Sequence, residues 1–554
     1  MPLTEGFGVP DLTSGPDPTY KTSTANFVRC TGEPRAFGGI AWLAQDVQTK
    51  AMWRALVAEL PKRRGLYPVV IAFTAEDAED YASAIPADLP CAIVRMDDYY
   101  AHVVAGRRLE LTDADLEREI SERERRYGMA VMRGMVLSDR HLGRDLMTGA
   151  PGFAESKISA ARSRRSIHEA CLISFRFLER LKAAFPPSIC LCYAGGAGMA
   201  GRPLAALMRA DGVPFRNMSF TRFGDRFYWA EDEFGFSARF KAHYEATRAP
   251  SEADIAAVFA TVGPQVLTSP EIVAQLSRNQ SWVGVARKVA MVAARHGYGY
   301  WKGYAKSRRG YRLAALLASI VRARLHRGWL DKHAVSKLQA QIAGRRIVYH
   351  ALQVEPELTT TLFGEFASDQ YGQVREMALS LPADAVLAGK EPPWQIGSRG
   401  LAFYKRVMAL PNALLVNPGY PSIDLIRRSG AVSTGSSSVA YEAAALGIPA
   451  FHVQERSLLD VVPHVVAMRK RADVEKVREA LDATDAASVA RRKSDGARFF
   501  AALSTFGFGV GSEGLLNRKT PPSAAETDAL FADLEASLAD GLGQRPPAAR
   551  KATA

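Results

Sequence analysis

The sequence predicts an α/β protein made of two doubly wound units, each a largely parallel sheet covered by helices, with a helical connector between them. Three observations predict this. Within residues 21–240, short apolar runs that read as strands buried on both faces alternate with helical patterns. The alternation stops over 241–345, which is helix-forming and nearly strand-free, and resumes from residue 346. The length of 554 residues exceeds one ordinary domain and suits three to four units at about 150 residues each, or two large ones with extras. Two such units imply a cleft between them, with ligands bound outside the carboxyl ends of the strands.

Residues 1–20 are rich in Pro, Gly, Thr and Asp and read as an irregular arm. In the first unit, 21–240, apolar positions fall at helical spacing over 41–60. Strands are predicted at Tyr67–Phe73, Cys91–Met96 and Ser188–Tyr193, the last followed by Ala194-Gly195-Gly196-Ala197-Gly198. Long helical patterns cover 115–135 and 156–184. In the second unit, 346–470, strands are predicted at 346–352, 385–388, 413–416, 430–434 and 449–453. Helices are predicted between them at 368–380, 399–409, 421–428 and 438–446. Residues 471–543 read as Ala/Arg-rich helices, and 544–554 as a disordered tail.

Composition narrows the class. Apolar residues at 47% and charged residues at 23% exclude wholesale disorder. No apolar run approaches the roughly 18 residues of a membrane span, and the first residues lack a basic and an apolar export region. Five cysteines, Cys30, Cys91, Cys171, Cys190 and Cys192, are sparse and mostly inside apolar runs, which suits a reduced cytoplasm. The formal charge of +13 is local: residues 281–346 hold fifteen Lys/Arg against one acid, Asp331, a surplus of +14. Within it, Leu313, Leu316, Leu317, Ile320, Val321 and Leu325 form one apolar helix face, and Trp282, Tyr298, Tyr300, Trp301, Tyr304, Tyr311 and Trp329 are interleaved. Such a segment suits an anionic inner leaflet and equally an anionic glycan or lipid-phosphate acceptor. The plainer reading is a helix pair with solvated charges. No nucleic-acid fold signature accompanies the charge, so no nucleic acid is expected.

Three constellations bear on chemistry. In Thr434-Gly435-Ser436-Ser437-Ser438, a strand passes through a Gly/Ser turn into a helix that stops at Gly447, with Pro449 beyond. Its first turn offers free N–H groups, the positive dipole end and three hydroxyls, which suits a phosphate; the alternative is a capped helix with no ligand. Glu442 lies one turn in, within reach of a ribose hydroxyl. The second constellation is Gln353-Val354-Glu355-Pro356-Glu357 after a strand, with Asp369-Gln370 opening a helix. The third is Lys390-Glu391-Pro392-Pro393 with Gly397-Ser398-Arg399, Phe403-Tyr404 and Pro411-Asn412. There Lys390 and Arg399 are candidates to neutralise phosphate.

In this order and spacing, residues 345–455 resemble the bacterial capsule polysaccharide biosynthesis family, which includes transferases that add Kdo residues. The resemblance implies a GT-B-like architecture of two Rossmann-like domains. It also implies a metal-independent glycosyltransferase that takes a nucleotide-activated sugar, CMP-Kdo-like, and passes it to a surface polysaccharide or lipid-linked acceptor. Such an enzyme would work in the cytoplasm, peripherally at the inner face of the inner membrane, and would need no cofactor. Donor contacts carried over are Gln353, Glu355, Lys390, Arg399, Thr434, Ser436, Ser437, Ser438 and Glu442, with Glu357 as a candidate catalytic residue. Two departures matter: the family's histidine is Pro392 here, and Val354 interrupts its Gln-Pro-Glu run. In the first unit, Arg202-Pro203-Leu204 and the segment from Arg222 through Glu231-Asp232-Glu233 to Gly235 resemble the acceptor side, with Asp232 and Glu233 as candidate bases. A polyol-phosphate transferase of teichoic-acid type would share the fold, and a non-catalytic scaffold of a capsule assembly complex is the alternative of another class. Asp113-Ala114-Asp115 matches the metal-binding D-x-D of a different glycosyltransferase class, but after Thr112 it reads as helix capping, and no metal site is expected.

Overall fold

The computed structural model describes residues 26–45, 50–73, 75–96, 98–146, 155–193, 198–223, 225–262, 281–301, 312–335, 344–355, 360, 364, 369–510 and 520–539. The expected arm at 1–20, the turn at 194–197, Glu357 and the tail at 544–554 lie outside them. The chain divides into two units, each with one sheet among the described residues. Unit 1 comprises 1–136, 161–240 and 505–554; unit 2 comprises 137–160 and 241–504. The segment 241–345, expected as a separate connector, therefore belongs with unit 2, as do the helices up to 504, while the chain end returns to unit 1.

Unit 1 carries strands β1 (Phe27–Thr31), β2 (Gly39–Gln45), β3 (Leu66–Ala72), β4 (Cys91–Arg95), β5 (Ile189–Tyr193), β6 (Phe215–Phe220) and β7 (Arg226–Ala230). The sheet order is β1-β4-β3-β2-β5-β6-β7, closed by the short strand Phe508–Gly509. The central run β4-β3-β2-β5-β6 is parallel, and the flanking strands are antiparallel. Every residue of β3 is buried, as expected for a strand covered on both faces. Its core joins Trp53, Leu56 and Val57 of helix Lys50–Arg64 to Leu530, Phe531 and Leu534 of helix Ala524–Ala539. Asp533 accepts a hydrogen bond from the Trp229 N–H (2.8 Å), which ties that last helix to β7.

Unit 2 carries β8 (Arg346–Ala351), β9 (Ala385–Lys390), β10 (Ala413–Val416), β11 (Ala431–Thr434), β12 (Ala450–His452) and β13 (Val465–Ala467), in the order β10-β9-β8-β11-β12-β13. All pairings are parallel. Counted within each unit, the parallel strands run 3-2-1-4-5 and 3-2-1-4-5-6, the doubly wound order that binds ligands where the winding reverses. In unit 2 the reversal lies between β8 and β11. The fold class predicted from the sequence is therefore the one observed, in both units.

Two expectations fail locally. The helical pattern read over 115–135 stops at Tyr127, where Gly128 ends the helix at φ +61°. The helical pattern read over 41–60 hides β2, the first strand of the parallel sheet; the helix starts only at Lys50. Ala41, Trp42, Leu43 and Ala44 are all fully enclosed, and a short run buried on every side has no periodicity to separate strand from helix. Asp113 and Asp115 sit in the first turn of a helix that Thr112 caps. Thr112 accepts from the Asp115 N–H, and the two acids pair with Arg165 and Arg118. All five cysteines are buried and unpaired by disulfide.

Helix Ser438–Ala445, which follows β11, is held at its far end by close backbone packing. Gly496, in helix Ala486–Thr505, lies so near that a Cβ there would sit 2.5 Å from the Ala444 carbonyl oxygen. Gly447, at φ +69°, leaves equally little room beside Arg492. Gly496→Ala is thus expected to lower stability by about 1–3 kcal/mol in urea or thermal unfolding. Gly297→Ala is the control. It sits in helix Trp282–Trp301 with nothing within 4 Å, and should be neutral or stabilising by up to about 1 kcal/mol.

Candidate functional site

The exit from β8 is built from side chains that bind backbone. The Gln353 N–H donates to Gln370 Oε1 (2.6 Å), and Gln370 Nε2 donates back to the Gln353 carbonyl (3.1 Å). Gln370 is held there because Asp369 caps its helix, accepting from the Tyr371 N–H (3.1 Å). Arg399 completes the clasp. Its guanidinium donates to the Gln353 carbonyl, to Glu355 and, through Nε, to Glu391 (2.9 Å), which also accepts from the Tyr404 hydroxyl (2.9 Å). Arg399 and Glu355 are fully enclosed. Burial pushes Glu355 up to about 7 and also raises Glu391, against the pull of the Arg399 charge.

This clasp aims the Gln353 side chain at the turn after β11. With its amide oriented by those neighbours, its oxygen accepts from the N–H groups of Ser436 (2.6 Å) and Ser437 (2.7 Å). Gly435 beneath has no room for a side chain, since a Cβ would meet Gln353 at 2.3 Å. The Thr434 hydroxyl donates to the Ala351 carbonyl (3.1 Å) and links β11 to β8. Ser437 is the N-cap of helix Ser438–Ala445 and accepts from the Val439 N–H (3.3 Å); Ser437 and Ser438 are half-buried. A carboxamide oxygen therefore already stands at the acceptor position expected for a phosphate, and the hydroxyls of Ser437 and Ser438 remain beside it.

Around the same reversal point lies a second cluster. Lys390, the last residue of β9, is 6% exposed and donates to Ser422 Oγ (2.7 Å), at the start of helix Ser422–Arg428. Tyr349 of β8 also reaches Ser422. Glu442 is 2% exposed, and no hydrogen bond reaches its carboxyl among the described residues. Burial raises Glu442 to about 8 while the Lys390 charge opposes it; burial lowers Lys390 to about 8 while Glu442 opposes that. A pair so arranged offers an acceptor and a cation that the protein's own donors leave incompletely served.

The sequence-predicted donor residues thus separate into two sets. Gln353, Lys390, Ser436, Ser437, Ser438 and Glu442 gather at the reversal between β8 and β11. Glu355, Arg399 and Thr434 brace the strand ends from inside, so the expectation that Arg399 neutralises a phosphate is corrected: its guanidinium is enclosed and engaged by protein groups. In unit 1, Asp232 closes its own turn, accepting from Phe234 N–H (2.9 Å) and Phe236 N–H (3.0 Å). Glu233 is 2% exposed and paired with Arg202 and Arg209. Burial raises it, but the two cations prevail and hold its carboxyl below the ordinary range, the opposite of what a proton acceptor needs. Its neighbour Glu231, not singled out from sequence, is the acid there that burial pushes up. Ser422 and Tyr349 were also missed. Tyr349 sits inside β8 and Ser422 opens the helix after β10, positions that carry no local signal of a site.

Two expected outcomes follow from these clusters. Lys390→Met and Glu442→Gln singly should each lower stability by about 1–3 kcal/mol, and the double variant by less than the sum, because each single change strands the partner in a buried site. Urea unfolding of the four proteins reads the coupling. Because Glu355 is raised from about 4.5 to about 7, the folded chain binds the extra proton between those values, and stability falls as pH rises through them. The fall should be smaller in Glu355→Gln, by on the order of 1 kcal/mol, in melts between about pH 5 and pH 8.

No protein-family model matches the chain, and no curated protein matches it. Among solved structures it is similar to the α,α-trehalose 6-phosphate synthase of Burkholderia multivorans, at 12% identity over 92% of this chain and 98% of that one, with a TM-score of 0.30. It is similar to the UDP-GlcNAc 2-epimerase of Neisseria meningitidis, at 9% identity over 90% and 99%, with a TM-score of 0.27. Similarity also extends to KpsC of Thermosulfurimonas dismutans, a beta Kdo 2,4 transferase, at 13% identity over 52% and 79%, with a TM-score of 0.24.

Proposed function

We propose that the chain is a glycosyltransferase of capsule or surface polysaccharide synthesis whose second unit binds a nucleotide-activated sugar. The observation that carries this reading is Glu442. It is an enclosed carboxyl without a hydrogen bond among the described residues, at the reversal point of a doubly wound sheet and beside a buried lysine. Ribose hydroxyls supply the donors that Glu442 lacks. Lys390 and the hydroxyls of Ser437 and Ser438 are the groups left to meet the phosphates, and the lysine charge favours the charge that develops on the leaving group without calling on a metal. The family resemblance of 345–455 supports a Kdo-like sugar activated by CMP. It also supports a surface glycan or lipid-linked primer as acceptor, held by the first unit, with the enzyme working in the cytoplasm at the inner membrane.

A second reading, the non-catalytic scaffold, is favoured by one observation. Pro392 stands where the family has histidine, and it opens the short turn Pro393–Gln395. The readings part on nucleotide binding. A thermal-shift panel of CMP, CDP and UDP compounds is expected to show stabilisation, strongest with the cytidine set. A shift only with CDP compounds would instead favour polyol-phosphate transfer, and no shift with any of them would sink both enzyme readings. Glu442→Gln is expected to weaken nucleotide affinity about tenfold or more, about 1.4 kcal/mol, in calorimetric titration.

A further inference from the structure

We propose that the outward face of helix Trp282–Trp301 docks on an anionic lipid bilayer. Val285 is its one buried side chain among those described; Val289, Val292 and His296 are half-buried. These four recur at i, i+4, i+7 and i+11, a single stripe, and the helix packs against its neighbour Leu313–His333. An ordinary surface helix would be polar on the opposite side. Here that side carries Val283 (81% exposed), Met291 (50%), Tyr298 (56%) and Trp301 (74%). At about 100° per residue these four fall within about 80° of arc, facing away from the packed stripe. Scattered exposed apolar residues need no explanation, but four large ones on one stripe do.

Charge selects the occupant. The helix has no acid, and Arg287, Lys288 and Arg295 lie exposed on and beside the stripe, with no ion pair among the described residues. In sequence, the helix opens the segment 281–346, whose surplus is +14. A second copy of the chain would bring the same cations face to face. An anionic bilayer instead offers phosphates to the cations and an acyl boundary to Val283 and Met291. Tyr298 and Trp301 suit the headgroup level. No helix among the described residues is long and apolar enough to cross a membrane, so the contact is in-plane. The proposal stands apart from the donor-site reading.

The test is cosedimentation of the full chain with vesicles of phosphatidylcholine alone or mixed equally with phosphatidylglycerol, with tryptophan emission read in parallel. Binding should favour the anionic vesicles about tenfold or more, with a blue shift. It should collapse from about 0.1 M to about 1 M salt, as the Debye length shrinks from about 10 to about 3 Å. Val283→Ser/Met291→Ser/Trp301→Ser should weaken it about tenfold or more without altering the melting temperature or the nucleotide shifts. Arg287→Glu/Lys288→Glu/Arg295→Glu should do the same. No binding, salt-insensitive binding, equal binding to both vesicle types, or full binding by both triple variants would overturn the proposal. So would a concentration-dependent dimer that the serine variant abolishes, or binding to an RNA homopolymer but not to vesicles.

Discussion

One buried guanidinium holds the carboxyl ends of β8 and β9 together. Arg399 binds Glu355 from the loop after β8, Glu391 from the loop after β9, and the backbone carbonyl of Gln353. Charges this deep persist only when each is paired and hydrogen-bonded, and removing the cation alone would leave two enclosed carboxyls without compensation. Burial raises both Glu355 and Glu391, and the single Arg399 charge only partly offsets it.

Everything at the reversal point hangs from that clasp. It fixes Gln353, whose side chain then satisfies two N–H groups at the entrance to helix Ser438–Ala445. Glycines 447 and 496 hold the other end of the helix against Ala486–Thr505. Eight residues make a helix that could not persist alone in water, so its position is a tertiary product. Glu442 and Lys390 sit on this frame with a different character from the clasp. Arg399 and Tyr404 engage the inner carboxyls, though one oxygen each of Glu355 and Glu391 has no partner among the described residues, whereas the Glu442 carboxyl accepts no hydrogen bond there at all. Direct ion pairs from Arg399 to both inner carboxyls make that cluster a brace.

Legibility followed the strength of the local signal. Strands β3, β4, β5, β8, β9, β10, β11 and β12 were readable because each is a short apolar run flanked by turn residues, the mark of burial on both faces. β2 was misread as helix for the same reason: Ala41 to Ala44 are enclosed on all sides, so no periodicity survives. β1, β6, β7 and β13 went unmarked; three of them lie at or beside sheet edges, where the apolar signal is diluted. At the site, motif order pointed to Gln353, Lys390 and Glu442. Arg399 and Glu233 show the limit, since a charged residue in a polar motif looks the same whether it faces a ligand or a buried counter-ion.

The sequence by itself determined the two doubly wound units, the lodging of the charge in 281–346, and the motif residues that the fold then gathers at the second unit's reversal point. Apolar periodicity and composition are local properties, and each leaves its trace along the chain. Only the tertiary structure decided that the connector belongs to the second unit, that Arg399 braces while Lys390 and Glu442 stay incompletely served, and that helix Trp282–Trp301 turns an apolar stripe outward. Burial and partnership depend on residues far apart in sequence, and no local pattern encodes which of two similar charges will find a counter-ion.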